Sequence, residues 1–179
     1  MKYTQLKLEK AYEVVQLFYN TFKASENEKE ALAVSGLVQK YLQNYPREDL
    51  KGFIAVDEGR IVGCVFFSQL NFTKSDKKVL ILSPMAVKTE FHGKGIGQEL
   101  IRHAHEELRK EGVNITMTYG DINFYSKTGY EMVSEDSIAA PLKLSYPEGW
   151  LANSLDESTE LKIEGSSTCI PELNDQNLW

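Results

Sequence analysis

Residues 79–112 read VLILSPMAVKTEFHGKGIGQELIRHAHEELRKEG, and this stretch decides the fold. Val79 to Val87 is an apolar run of strand length, Lys88 to Lys94 is a polar turn, and helical spacing begins at Gly95. Ile96, Leu100, Ile101, Ala104 and Leu108 fall on one face of that helix, and Gly112 follows its last basic turn as a C-cap signal. Gly93, Gly95 and Gly97 alternate at the hand-over from strand to helix. Glycine accepts positive φ and lets a backbone approach a ligand closely. The first turn of a helix offers N–H groups without intrahelical partners and a partial positive charge. The stretch therefore reads as a phosphate cradle at the end of a strand.

Working outward, Val113, Ile115, Met117 and Tyr119 alternate with polar residues and predict a strand beside the first, which makes a strand–helix–strand crossover. A short helical segment, Asp121 to Lys127, and a strand from Tyr130 to Val133 follow. Upstream, Phe53 to Val56 and Ile61 to Leu70 form a hairpin across Asp57-Glu58-Gly59-Arg60, and Asn71 to Lys78 reads as a polar loop. Tyr3 to Leu8 is a first short strand, and Ala11 to Lys23 is a helix carried by Val14, Val15, Leu17, Phe18 and Phe22. Ser25 and Glu28 make a capping-box pattern that starts a second helix, ended by Pro46. Beyond Glu135 the pattern weakens. Ile138 to Leu144 and Glu160 to Ile163 read as strands, and Pro147-Glu148-Gly149-Trp150 as a turn into a short helix, Leu151 to Leu155. The fold class is mixed α/β, with antiparallel strands followed by one crossover unit. Residues 1–144 are expected as the main domain, with 145–179 a C-terminal extension packed on it, Trp150, Cys169 and Trp179 serving that packing.

The chain of 179 residues fits one domain with a tail. Its net charge of −6 argues against nucleic acid or an anionic membrane as partner. Cys64 and Cys169 lie far apart with no zinc or disulfide spacing, and His103 and His105, two residues apart on a helix, face different ways. No metal is expected. The N-terminal residues are polar and no apolar run has membrane-spanning length, so a cytoplasmic location is expected.

Two phosphate motifs fail on inspection. A dinucleotide fingerprint requires a third glycine where Gln98 stands, and a P-loop ending on Lys94 requires Gly where Lys88 stands and Ser or Thr at Gly95. The frame His92-Gly93-Lys94-Gly95-Ile96-Gly97 instead resembles the acetyl-coenzyme A signature of the GCN-five-related N-acetyltransferases (GNAT), a Gln or Arg followed by x-x-G-x-G/A. Asn123 to Tyr130 resembles that family's aromatic-Tyr-x-x-x-Gly-aromatic segment. The chain is most similar to predicted acetyltransferases that read Gly-Asp-x-x-aromatic-Tyr, as in Gly120 to Tyr125, and carry a C-terminal extension. The resemblance covers Met1 to about Val133. His92 departs from the usual Gln or Arg, and Thr89 stands where Pro is common.

The resemblance implies an acyl-CoA N-acyltransferase fold, a mostly antiparallel twisted sheet flanked by helices, with the crossover at the cofactor site. It implies acetyl-CoA as cosubstrate and direct attack by an amine, a small molecule or a protein amino group, in a ternary complex; a homodimer is compatible with it. Gly93, Lys94, Gly95, Ile96, Gly97 and Gln98, with His92, would hold the diphosphate. Met85, Ala86 and Val87 would pair with the pantetheine arm. Tyr125 would protonate the leaving thiolate. Asp121 is the first candidate for the base, with Glu26 and Glu28 as others. A CoA-binding sensor or assembly module without chemistry, and an enzyme for a longer acyl chain, are the rival readings.

Overall fold

The computed structural model describes residues 1–179, and its contacts divide the chain into two compact units. Unit 1 comprises Met1–Phe67 and Pro84–Ala104; unit 2 comprises Ser68–Ser83 and His105–Trp179. Strands β3 (Arg60–Phe72) and β4 (Ser75–Val87) and helix α3 (Ile96–Lys110) contribute to both.

In unit 1, β1 (Lys2–Gln5) pairs antiparallel with β2 (Leu50–Asp57) in the register Lys2↔Val56 to Gln5↔Phe53. The strand order continues to β3 and β4. Helices α1 (Ala11–Ser25) and α2 (Glu28–Gln43) cover one face: Phe18 and Tyr41 place their rings 6.1 and 5.3 Å from that of Phe66. The next residue, Phe67, points the other way and meets Phe53, which in turn meets His103 on α3. A strand covered on both faces has no reason to alternate, which is why Ile61 to Phe67 is almost uniformly apolar. The expected cap at Ser25 is displaced. Helix α1 runs through Ser25, and Asn27 caps α2 instead, its Oδ1 accepting the Glu30 N–H at 2.9 Å.

In unit 2, β4 and β5 (Ile115–Tyr119) pair in parallel from Val79↔Ile115 to Leu82↔Thr118, while β4 continues to Val87. Order then runs β5, β7 (Trp150–Ser154), β6 (Glu131–Met132), both pairings antiparallel. Three expectations change here. The stretch Asn71 to Lys78 is not a loop: the turn is only Thr73–Lys74, and charged residues continue the ladder because backbone pairing is indifferent to exposed side chains. Residues 151–155 are not a helix. Trp150, Leu151 and Ala152 are fully buried in β7, and a short apolar run buried on both faces carries no periodicity to separate strand from helix. Ile138 and Ile163 form only an isolated bridge, and β8 (Ser167–Thr168) pairs instead with Asn71 and Phe72 of β3. The tail ends with Trp179 buried, its indole N–H donating to Leu173 O at 2.9 Å and its ring stacked on Tyr119.

Candidate active site

In unit 1 the glycine turn is built as its sequence requires. The Lys88 N–H is tied to Val62 O at 2.8 Å, and a single 3₁₀ turn, Thr89–Phe91, follows. Gly93 and Gly95 then take φ of 73° and 76°. A Cβ built on either meets nothing within 4 Å, so the space beside both is open to an incoming group. Helix α3 starts at Ile96, and the Glu99 N–H reaches back to Gly95 O at 3.0 Å. The amides of Ile96, Gly97 and Gln98 precede that bond, at the positive end of a 15-residue helix. His92 is used internally: its Nε2 lies 2.7 Å from Val87 O and ties the turn to the end of β4. As a carbonyl only accepts, Nε2 carries the proton there. The Lys94 ammonium sits 5.0 Å over the Phe91 ring. Ala86 is buried, with Met85 and Val87 half-buried beside it.

In unit 2, Tyr125 ends the one-turn helix α4 (Ile122–Tyr125). Asp121 caps that helix, its Oδ1 accepting from the Asn123 N–H and Nδ2, both at 2.9 Å. The Tyr125 ring is wedged. Tyr130 and Phe124 pack edge-on against it at 5.5 and 5.0 Å, and a Cβ added to Gly120 would lie 2.8 Å from its Cε2. Gly120 is glycine because the ring occupies the space a side chain would need. Burial pushes the Tyr125 phenol up from its ordinary value, partly offset by a hydrogen bond with Thr118. Thr118 in turn donates to Leu82 O at 3.3 Å.

The other two candidate bases lie in unit 1. Glu28 accepts from the Tyr19 hydroxyl at 2.9 Å and the Lys23 ammonium at 3.3 Å, which hold its carboxyl below the usual range. Glu26 follows α1, its N–H bonded to Phe22 O.

Residues 48–132 match the acetyltransferase (GNAT) domain family. The chain carries a GNAT acetyltransferase domain. The protein named uncharacterized N-acetyltransferase YhbS of Escherichia coli (strain K12) is 28% identical over 88 residues, 49% of this chain and 53% of that protein. The chain thus matches about half the length of this relative. The crystal structure of the GNAT family N-acetyltransferase YhbS from Escherichia coli in complex with CoA superposes with a TM-score of 0.83 at 20% identity, covering 97% of this chain and 92% of that one. A GNAT family acetyltransferase from Brucella melitensis in complex with acetyl-CoA gives 0.69 at 20% identity, with 96% of each chain covered. These two structures establish the GNAT fold of mixed α/β layers around a mostly antiparallel sheet. No helix is long and apolar enough to cross a membrane.

Sequence reading missed one feature of the GNAT domain, the polar cluster under Tyr125. His105 is buried and bonded to Tyr130, Thr116 and Asn153. Its signal was present: His105 stands four residues after Ile101 and three before Leu108, on the apolar stripe of α3. A histidine in such a stripe needs partners for both ring nitrogens.

Proposed function

We propose that the protein transfers an acetyl group from acetyl-CoA to an amine by direct attack. The observation that carries this is the open turn at Gly93 and Gly95 heading α3, within the segment that matches the acetyltransferase family. Gly93 to Gln98, with His92 fixing the turn, hold the diphosphate through backbone N–H groups. Met85 to Val87 offer strand backbone to the pantetheine arm, and β4 does continue past its last pair with β5. The amine nitrogen forms the new C–N bond, the C–S bond breaks, and the thiolate takes the phenolic proton of Tyr125. Asp121 accepts the amine's proton, directly or through water; its cap bonds both end on Oδ1, so this falls to Oδ2.

The test is calorimetry with acetyl-CoA together with thiol release over a panel of spermidine, tobramycin, leucine and a short peptide with a free N-terminus. Binding plus release with at least one amine is expected. Absence of binding overturns the cofactor assignment. The commitment of Glu28 to Tyr19 and Lys23, and of Asp121 to its cap, favours a second reading, a CoA-binding module without chemistry. Tight binding without release from any acceptor is its signature.

Gly95→Ala tests the turn itself. At φ 76° with open space around the Cβ, the cost is purely conformational. A left-handed alanine costs about 1–2 kcal/mol; the free turn relaxes to relieve it, binding must restore the left-handed form, and acetyl-CoA affinity should fall by up to roughly tenfold. Calorimetry reads that loss directly, and an unchanged affinity would remove the turn from the binding site.

A further inference from the structure

We infer that His105 is a positioning residue for Tyr125, holding the phenol in place through Tyr130 and Asn153. The inference rests on the acid role of Tyr125 proposed above. Helix α4 and the following 3₁₀ segment, Ser126–Thr128, are each a single turn, too short to fix a ring by their own ladder. The constraint comes from outside.

The hydrogen bonds around His105 admit one assignment. Asn153 Nδ2 lies 3.3 Å from Thr128 O and 3.2 Å from His105 Nδ1. A carbonyl only accepts, so the atom facing Thr128 O is the amide nitrogen, and the same nitrogen donates to Nδ1. Nδ1 therefore holds a lone pair and Nε2 holds the proton. Nε2 in turn sits 3.2 Å from both the Tyr130 hydroxyl and Thr116 Oγ1, and those two hydroxyls are themselves bonded. One imidazole thus reads α3, β5, β7 and the turn that carries Tyr125.

The cluster reaches Tyr125 by two routes. Tyr130, its hydroxyl pinned by His105 and Thr116, packs its ring edge-on against Tyr125 at an interplanar angle of 75°. Thr128, whose carbonyl is held by Asn153, donates its Oγ1 to Tyr125 O at 2.9 Å. Gly120 lies against the Cε2 edge of the ring. Loss of the Nε2 proton donor leaves the Tyr130 hydroxyl only its bond to Thr116, and with Tyr130 loosened the Tyr125 hydroxyl samples positions away from the reacting sulfur. Misplacement of a catalytic group by about 1 Å costs on the order of 10²-fold.

The experiment is a double-mutant cycle of His105→Leu and Tyr125→Phe, read as thiol release from acetyl-CoA with hydroxylamine, a small nucleophile that needs no acceptor pocket. His105→Leu should lower kcat by about tenfold or more while leaving KM for acetyl-CoA within about twofold. In the Tyr125→Phe background it should cost nothing further. His105→Gln, which offers both a donor and an acceptor, should recover most of the loss. Tyr130→Phe keeps the ring and removes the hydroxyl; run in parallel, it keeps the cycle measurable if His105→Leu fails to fold. Equal losses in both backgrounds, or no recovery by Gln in a folded protein that binds acetyl-CoA, overturn the positioning role. A Tyr125→Phe enzyme with wild-type kcat instead overturns the acid role, a separate result.

Discussion

Tyr125→Phe is expected to lower kcat by about 10²–10⁴-fold, the contribution of a positioned acid, with acetyl-CoA affinity nearly unchanged. The proton transfer concerned is uphill in water. A thiol of pKa ~8.5 leaves as thiolate against a phenol of ~10, and burial pushes the Tyr125 phenol higher still. Burial has a compensating effect, because a thiolate forming in the same dry surroundings is destabilised and becomes more basic. The raised value also keeps Tyr125 protonated throughout the neutral range, so its role as donor should show no pH break below about 10. Phenylalanine preserves the edge contacts with Tyr130 and Phe124 and removes only the hydroxyl and its bond to Thr118. Gly120→Ala perturbs the same group through its ring. Its Cβ would stand 2.8 Å from Cε2, so the ring must move, and kcat should fall with the hydroxyl still present. Steady-state thiol release measures both. Wild-type kcat in Tyr125→Phe would remove the acid role.

The glycine turn was legible because it is written in backbone. Glycines that need φ of 73° and 76°, placed ahead of an amphipathic helix, announce the turn whatever packs elsewhere. The long helices were legible for a similar reason, since Val14, Leu17 and Phe18 repeat with the period of α1 and are buried as that period requires. What remained hidden depends on partners distant in sequence. Strand β7 is a strand because β5 and β6 flank it, and nothing within Trp150 to Ser154 says so. Gly120 reads as an ordinary turn glycine until the Tyr125 ring is found in its side-chain space. The use of His92 as a tie to Val87 O depends on where β4 ends. The His105 cluster joins residues 105, 116, 130 and 153, and of these only His105, set in the apolar stripe of α3, carries a local signal.

That cluster also makes the protein sensitive to acid in a calculable way. Burial, and secondarily the charge of Arg109, lowers the His105 pKa from 6.5 to about 3. Protonation would put a second N–H on Nδ1, facing the Asn153 amide that already donates to it. The folded-state value is depressed, so between pH 6.5 and about 3 the unfolded chain binds the proton that the folded chain refuses. Stability is therefore fully present above pH 6.5 and falls as pH drops through this window, at about 1.4 kcal/mol per pH unit from this one group. Depressed carboxylates act in the same direction. Asp49 is held down by Arg47, and Glu13 by the Ile61 N–H and Lys10 against an opposing effect of burial. A difference measurement separates them. His105→Gln keeps a donor and an acceptor but does not titrate, while the depressed carboxylates contribute equally to both proteins. Urea unfolding at pH 7, 6, 5 and 4 should show the variant gaining on the wild type by about 1.4 kcal/mol per unit below pH 6. Parallel stability profiles would mean that His105 accepts its proton inside the folded protein, against the depression that its burial implies.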